Sequence, residues 1–375
     1  MNQLNSGFKE LVNSCIVAGL IAIIISTSFG PVVVKPLMLD GSLISSGRYM
    51  ITYDGYETVS ENNGISVVGI GSSVLMEAMD GECMEKESKI DDIRFYNFAM
   101  DGSYPYTEMV QIPALIEASP SVVLIEIGPN SLWGWEDNLW VGGANYNEFR
   151  FQLISMTMKP KHMGEWYDIL EDKDKSYIDY NATERVDAWS EYSRLAIEEY
   201  LKREIYYFRD MLNQTSINYV PEIGSKEWDL YLSQPHFRES KIDKMSDDEI
   251  KEYLDEVMPI KSKQGVFNPK SNGTQNHRAL NYMINSLVNA SIDVVLIGVP
   301  HHPWVNDYLE NGQLDGMNET YNYFSSFENV TALQMYWDDW PSEAFSDRNH
   351  LDSEGRDIFC NQVTPVVDNI ILGGY

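Results

Sequence analysis

I-S-V-V-G-I-G-S-S-V-L-M-E-A-M, residues Ile65 to Met79, is the stretch that decides the architecture. A short apolar run closed by turn residues is the mark of a strand buried on both faces, because a half-buried strand would alternate apolar with polar. Gly71-Ser72-Ser73 supplies the turn, and V-L-M-E-A-M continues in helical character. Two more runs repeat the pattern, S-V-V-L-I-E-I at Ser121 to Ile127 and I-D-V-V-L-I-G-V at Ile292 to Val299. V-T-A-L-Q-M at Val330 to Met335 is a weaker fourth. Helical segments at Tyr106 to Glu117 and Gln275 to Asn289 fall between these runs. Buried strands alternating with helices predict an α/β domain whose parallel sheet is covered on both faces.

The region 133–273 breaks the alternation. Thr183 to Asn213 has a long helical pattern, and Ser246-Asp247-Asp248-Glu249 is a capping box that opens a second helix ending near Pro259. The region reads as a helical insertion between two strands, a cap or a surface for a membrane or surface protein partner. Its Trp and Tyr residues favour packing over a sugar platform, since large aromatics mostly serve cores.

At the other end, Leu11 to Val34 carries no charged residue. About 20 apolar residues cross a bilayer as a helix, so residues 1–35 are expected to be a single membrane anchor. A cleaved leader is the competing reading, given the small residues Ser26 to Ser28, but the apolar run continues past them. Lys9 and Lys35 flank the segment without voting on orientation. Residues 36–63 read as a juxtamembrane connector with some extended structure, leaving 64–375 as the main domain.

The 375 residues include 27 Lys and Arg against 57 Asp and Glu, a formal charge of −30. That balance opposes nucleic-acid binding, because a phosphate backbone would be repelled. Six N-x-[ST] triplets, at Asn181, Asn213, Asn272, Asn289, Asn318 and Asn329, lie beyond the hydrophobic segment and favour an outward-facing domain. The three cysteines are too few for a disulfide scaffold. Cys15 lies in the apolar segment, while Cys83 and Cys360 are open to either pairing or separate burial as thiols.

In open α/β sheets, sites form at the carboxyl ends of strands, so the residues just after each run carry the most weight. A serine at the first turn sits where a helix N-terminus favours developing negative charge. In R-F-Y-N-F-A-M-D-G, Gly102 lets the backbone approach a ligand and offer an N–H. In G-P-N-S, the Asn130 amide can donate to an oxyanion. In D-R-N-H, Asp347 can fold back onto His350 and leave the far ring nitrogen free for a serine. Each of these alone is ordinary loop chemistry.

Together, in this order, they resemble the four blocks of the SGNH, or GDSL-type, hydrolases. The match rests on Gly71-Ser72-Ser73, Gly102, Gly128-Pro129-Asn130 and Asp347-Arg348-Asn349-His350, continued by H-L-D-S-E-G, and covers residues 65–130 and 292–365. It implies a flavodoxin-like parallel sheet sandwiched by helices and a Ser-His-Asp triad of Ser73, His350 and Asp347. Gly102 and Asn130 would be oxyanion donors. Where the family has aspartate, this chain has Ser72, so Ser72 is kept as the reserve nucleophile. The G-S-S form is similar to membrane-tethered members that modify cell-surface polymers. The family's last helix packs beside the helix after the nucleophile, which implies a Cys83–Cys360 disulfide.

His301 and His302 come directly after the third clear run and are cleft residues at most, with a surface loop the simpler reading. His162, His236 and His277 look incidental. No metal spacing is evident, and the chemistry needs no cofactor. The expectation is an anchored, outward-facing serine esterase or O-acyltransferase acting on acylated glycan or another surface polymer. A non-catalytic surface glycan-binding or structural protein with this fold, and a lysophospholipase-like enzyme near the membrane, are its rivals.

Overall fold

The computed structural model describes residues 9, 11–21, 44–128, 151, 154, 158–178, 223–235, 242, 245–262, 274–308 and 313–373. Five strands form one parallel sheet: β1 (Ile65–Ile70), β2 (Ile93–Asn97), β3 (Val122–Glu126), β4 (Asp293–Ile297) and β5 (Val330–Leu333). Their order is β2-β1-β3-β4-β5, consistent with a flavodoxin-like fold. Successive side chains along a strand point to opposite faces, and both faces are covered. Val68, Ile70, Val123, Ile125, Val294 and Leu296 belong to one buried cluster. Val67, Val122, Leu124, Val295 and Ile297 belong to the other. This explains the unbroken apolar runs: neither face meets water.

The first face is covered by α1 (Ile44–Glu61), α4 (Ile112–Ala118), α5 (Lys226–Ser233), α7 (Gln275–Asn289) and α8 (Gln313–Phe324). The second is covered by α2 (Ser73–Ala78), α3 (Gly81–Glu87), α6 (Asp247–Ser262) and α9 (Ser353–Ile371). Cys83 of α3 and Cys360 of α9 are joined as a disulfide with Cα atoms 6.2 Å apart. Cys15 is free and exposed.

Within residues 36–63, read as a connector with some extended structure, Ile44–Glu61 are helical as α1. Its buried positions, Arg48, Thr52, Tyr53, Tyr56 and Val59, recur at helical spacing, but few are aliphatic and the stripe is muted in the sequence. β2 also lacks a clear strand signal. It is an edge strand, and Arg94, ion-paired to Glu85 at 3.1 Å, interrupts its apolar character. α6 opens with both the Ser246 N–H and the Ser246 hydroxyl donating to the Glu249 carboxylate, and continues through Pro259 to Ser262 rather than ending at the proline.

Between β3 and β4 the regular elements among the described residues are helices, and they do not stand apart from the sheet. Trp166 and Trp228, both fully buried, share a cluster with β1 and β3, so these aromatics pack rather than present a platform. The Thr183 to Asn213 pattern lies outside the described residues. Of the Leu11 to Val34 segment, residues 11–21 are described, as a helix whose residues are all exposed. Among the described residues no helix is long and apolar enough to cross a membrane.

Candidate active site

Ser73 is the first residue of α2, directly after the carboxyl end of β1. The turn is fixed from behind. Ser72 caps α2 by accepting the Val74 N–H, and the ladder to the next loop continues past β2, with the Phe98 N–H donating to Gly69 O and the Met100 N–H to Gly71 O, each at 2.8 Å. The segment leading to Gly102 therefore runs beside the serine turn. Gly102 has φ +61°, a left-handed conformation that glycine adopts without strain. Arg48, buried, donates to Asn97 O at 2.9 Å and Ala99 O at 3.1 Å, while Asn97 Nδ2 donates to Met76 O and Met79 O at the end of α2. One arginine and one asparagine thus tie α1, α2 and the Gly102 loop together.

Asp347 and His350 lie on a turn closed by the Ser346 N–H to His350 O bond at 2.8 Å and by a Phe345–Leu351 bridge. Within it Asp347 Oδ1 accepts the N–H groups of Asn349 and His350 at 3.0 and 3.1 Å. Both carboxylate oxygens lie 2.9 Å from His350 Nδ1. A carboxylate can only accept, so Nδ1 carries the ring proton and Nε2 is left as an acceptor. Nε2 lies 2.8 Å from Ser73 Oγ across a sequence separation of 277 residues. Ser73, His350 and Asp347 are 9, 5 and 6 % exposed. Burial alone would raise the Asp347 carboxyl, but the His350 hydrogen bond and charge, the Asn349 N–H and Arg348 hold it well below the usual carboxylate range.

The arrangement can move a proton from a serine hydroxyl to an oriented imidazole, which is what makes an alcohol nucleophilic. Ser72 is committed elsewhere. Its hydroxyl donates to Glu126 Oε2 at 2.8 Å and its N–H reaches the same oxygen at 2.9 Å, so His350 is served by Ser73 alone of the two. Asn130 lies outside the described residues; Gly128, the first residue of the same block, is buried.

The remaining candidates are dispersed. His302 corrects the surface-loop reading: it is fully buried, edge-on to Trp304 and Phe345, and burial lowers it from its ordinary value. Its N–H donates to Arg348 O at 3.0 Å, so the loop after β4 braces the Asp347 turn. His301, half-buried, pairs its Nδ1 with the Tyr336 hydroxyl at 3.1 Å. α6 also reaches this turn: burial raises the Tyr253 phenol, and Arg348 beside it pulls the other way. Asn289, Asn318 and Asn329 are exposed, whereas Asn181, Asn213 and Asn272 lie outside the described residues. An open polar cleft lined by Thr58, Asn62, Asp92 and Asp229 lies at the amino end of β1 and β2, opposite this constellation.

Two carboxylates at the site escape sequence reasoning. Glu77, 1 % exposed and one turn after Ser73, places Oε1 3.8 Å from His350 Nε2. Glu126, 4 % exposed, holds Ser72. A signal is present, since both are acidic residues inside otherwise apolar runs, where an unexplained charge is costly and so points to a use. No protein-family model matches the chain, and no curated protein matches it significantly.

Proposed function

We propose that this chain is a serine esterase or O-acyltransferase of the SGNH type, tethered by its N-terminal segment and acting on acylated glycan or another surface polymer outside the cytoplasm. The observation that carries the reading is the continuous relay from Ser73 Oγ to His350 Nε2 at 2.8 Å and from His350 Nδ1 to Asp347 at 2.9 Å. Ser73 attacks the acyl carbonyl as its proton passes to Nε2. Asp347 keeps the ring in the required tautomer and faces the positive charge it acquires. The Ser73 N–H and Gly102 would donate to the developing oxyanion, with Asn130 as the third donor of the resemblance. Collapse breaks the ester C–O bond, and the leaving alcohol takes the proton from His350. Water or an acceptor hydroxyl then attacks the acyl-serine with His350 as base, giving hydrolysis or transfer.

The compartment and tether have their own support. A disulfide between Cys83 and Cys360 suits an oxidising environment. Leu11, Ile16, Val17, Leu20 and Ile21 are 50 to 62 % exposed on one helix, an apolar surface that suits lipid rather than water. The formal charge of −30 argues against nucleic acid as the partner.

The test is labelling by a fluorophosphonate probe: the Ser73 Oγ–P bond forms, fluoride leaves, and the hydroxyl proton goes to His350. Wild type should label and Ser73→Ala should not, with acetylated oligosaccharides then tried as acyl donors with and without an acceptor sugar. Folded wild type that fails to label, or Ser73→Ala that labels equally, would falsify the catalytic reading and leave the non-catalytic surface module.

A further inference from the structure

Glu126 ends β3 and is 4 % exposed, yet no acyl-transfer step needs a carboxylate there. Its Oε2 accepts both the N–H and the hydroxyl of Ser72, at 2.9 and 2.8 Å. The same hydroxyl accepts the Val74 N–H at 3.2 Å, so a directed chain runs from the first turn of α2 through Ser72 to Glu126. Space has been made for it. A Cβ on Gly71 would lie 2.6 Å from Glu126 Cβ and 3.1 Å from Oε2, so only glycine lets this side chain lie against the turn. Burial raises the Glu126 carboxyl, the two Ser72 bonds lower it, and so does the charge of His350, which places it within the field of the same imidazole.

We propose that Glu126 is a positioning residue for the nucleophile, acting through Ser72. It consumes the one proton of the Ser72 hydroxyl, so that this serine cannot compete for His350, and it fixes the turn so that Ser73 meets Nε2. Gly71, Ser72 and Glu126 form one unit. The inference rests on Ser73 being the nucleophile, and the experiment separates the two claims.

The measurement is the second-order rate of fluorophosphonate labelling of the full chain, with a thermal melt on every variant. Glu126→Ala should label roughly 10- to 100-fold more slowly, the range expected when a reacting group is displaced by about an ångström. Glu126→Gln should recover most of the rate, because its amide oxygen can accept both Ser72 donors. Ser72→Ala should be slow as well, and the double variant Glu126→Ala/Ser72→Ala should be no slower than the slower single, since the two act in series. Should Glu126→Ala not fold, Ser72→Ala and Glu126→Gln still decide the matter. Ser72→Ala at the wild-type rate, or a double variant slowed by the product of the singles, overturns the proposal while Ser73→Ala stays silent. Loss of the Ser73 dependence itself removes the catalytic reading and this inference with it.

Discussion

Replacing Asp347 by asparagine removes one charge and almost no volume, and the structure dictates how the amide must turn. Oδ1 accepts the backbone N–H groups of Asn349 and His350 at 3.0 and 3.1 Å, so an NH₂ at that position would face two donors. The amide oxygen must take the Oδ1 place, which puts NH₂ where Oδ2 lies, 2.9 Å from His350 Nδ1. Oδ1 is equally close to Nδ1, but a proton on Nδ1 would now meet the amide hydrogens. The strain is relieved by moving the ring proton to Nε2, which then faces Ser73 Oγ at 2.8 Å and can no longer accept. A tautomer error of this kind costs about 10⁴ in rate, or about 5.5 kcal/mol in the barrier. Labelling of Asp347→Asn by the phosphonate probe at pH 7 should fall by that order while the melt remains cooperative.

The same substitution has a thermodynamic signature of known sign. The Asp347 carboxyl is depressed in the folded state, so its contribution is present above the unfolded value near 3.9 and is lost as pH falls through the folded one. The stability gap between wild type and Asp347→Asn should therefore be widest at neutral pH and close below about pH 4. Asp347→Asn that labels within ten-fold of wild type would refute the relay, because the imidazole would then not depend on its carboxylate.

Unreduced protein should show one reactive thiol, Cys15, and reduction of Cys83–Cys360, which spans 277 residues, should lower the unfolding free energy by up to about 5 kcal/mol by urea titration. Arg48→Ala leaves the Asn97, Ala99 and Gln234 carbonyls without their donor, a loss of about 3 kcal/mol or more in the same assay, with slower labelling as the Gly102 loop loosens. His302 is lowered by burial, so it lends stability in full above the unfolded value near 6.5 and loses it as pH falls from there. Urea midpoints should drop between about pH 7 and pH 5, and His302→Phe should flatten that drop without abolishing it, since His162 and His277 are lowered in the same sense.

The legibility of each element depends on where its signal lives. β1 is readable to the residue, and β3 and β4 to within two at each end, because burial on both faces writes a continuous apolar run. β2 and α1 are not, because an edge strand can carry Arg94 and a helix can bury Arg48, Thr52 and tyrosines once their polar atoms find partners. The Asp347–His350 pair is legible because it is local, a four-residue turn. The difference between Ser72 and Ser73 is not, because Ser72 is bonded to Glu126, 54 residues away. Adjacent hydroxyls look alike in one dimension, and only the three-dimensional neighbour separates them.

Three buried carboxylates, on Asp347, Glu77 and Glu126, act on one imidazole. Each of these carboxylates has been taken out of water on folding. Burial works against the Glu126 carboxylate while hydrogen bonds hold that of Asp347, so the site depends on what ties its elements together. Ser73 leads into α2 and α3, His350 into α9, and Cys83–Cys360 joins α3 to α9. The 2.8 Å contact between serine and histidine is long-range in sequence, with both residues on turns, and turns drift unless the elements after them are tied. The covalent tie behind the two turns and the Ser72–Glu126 bonds beneath one of them therefore answer the same physical problem, that of holding a hydroxyl and an imidazole in register across 277 residues of sequence.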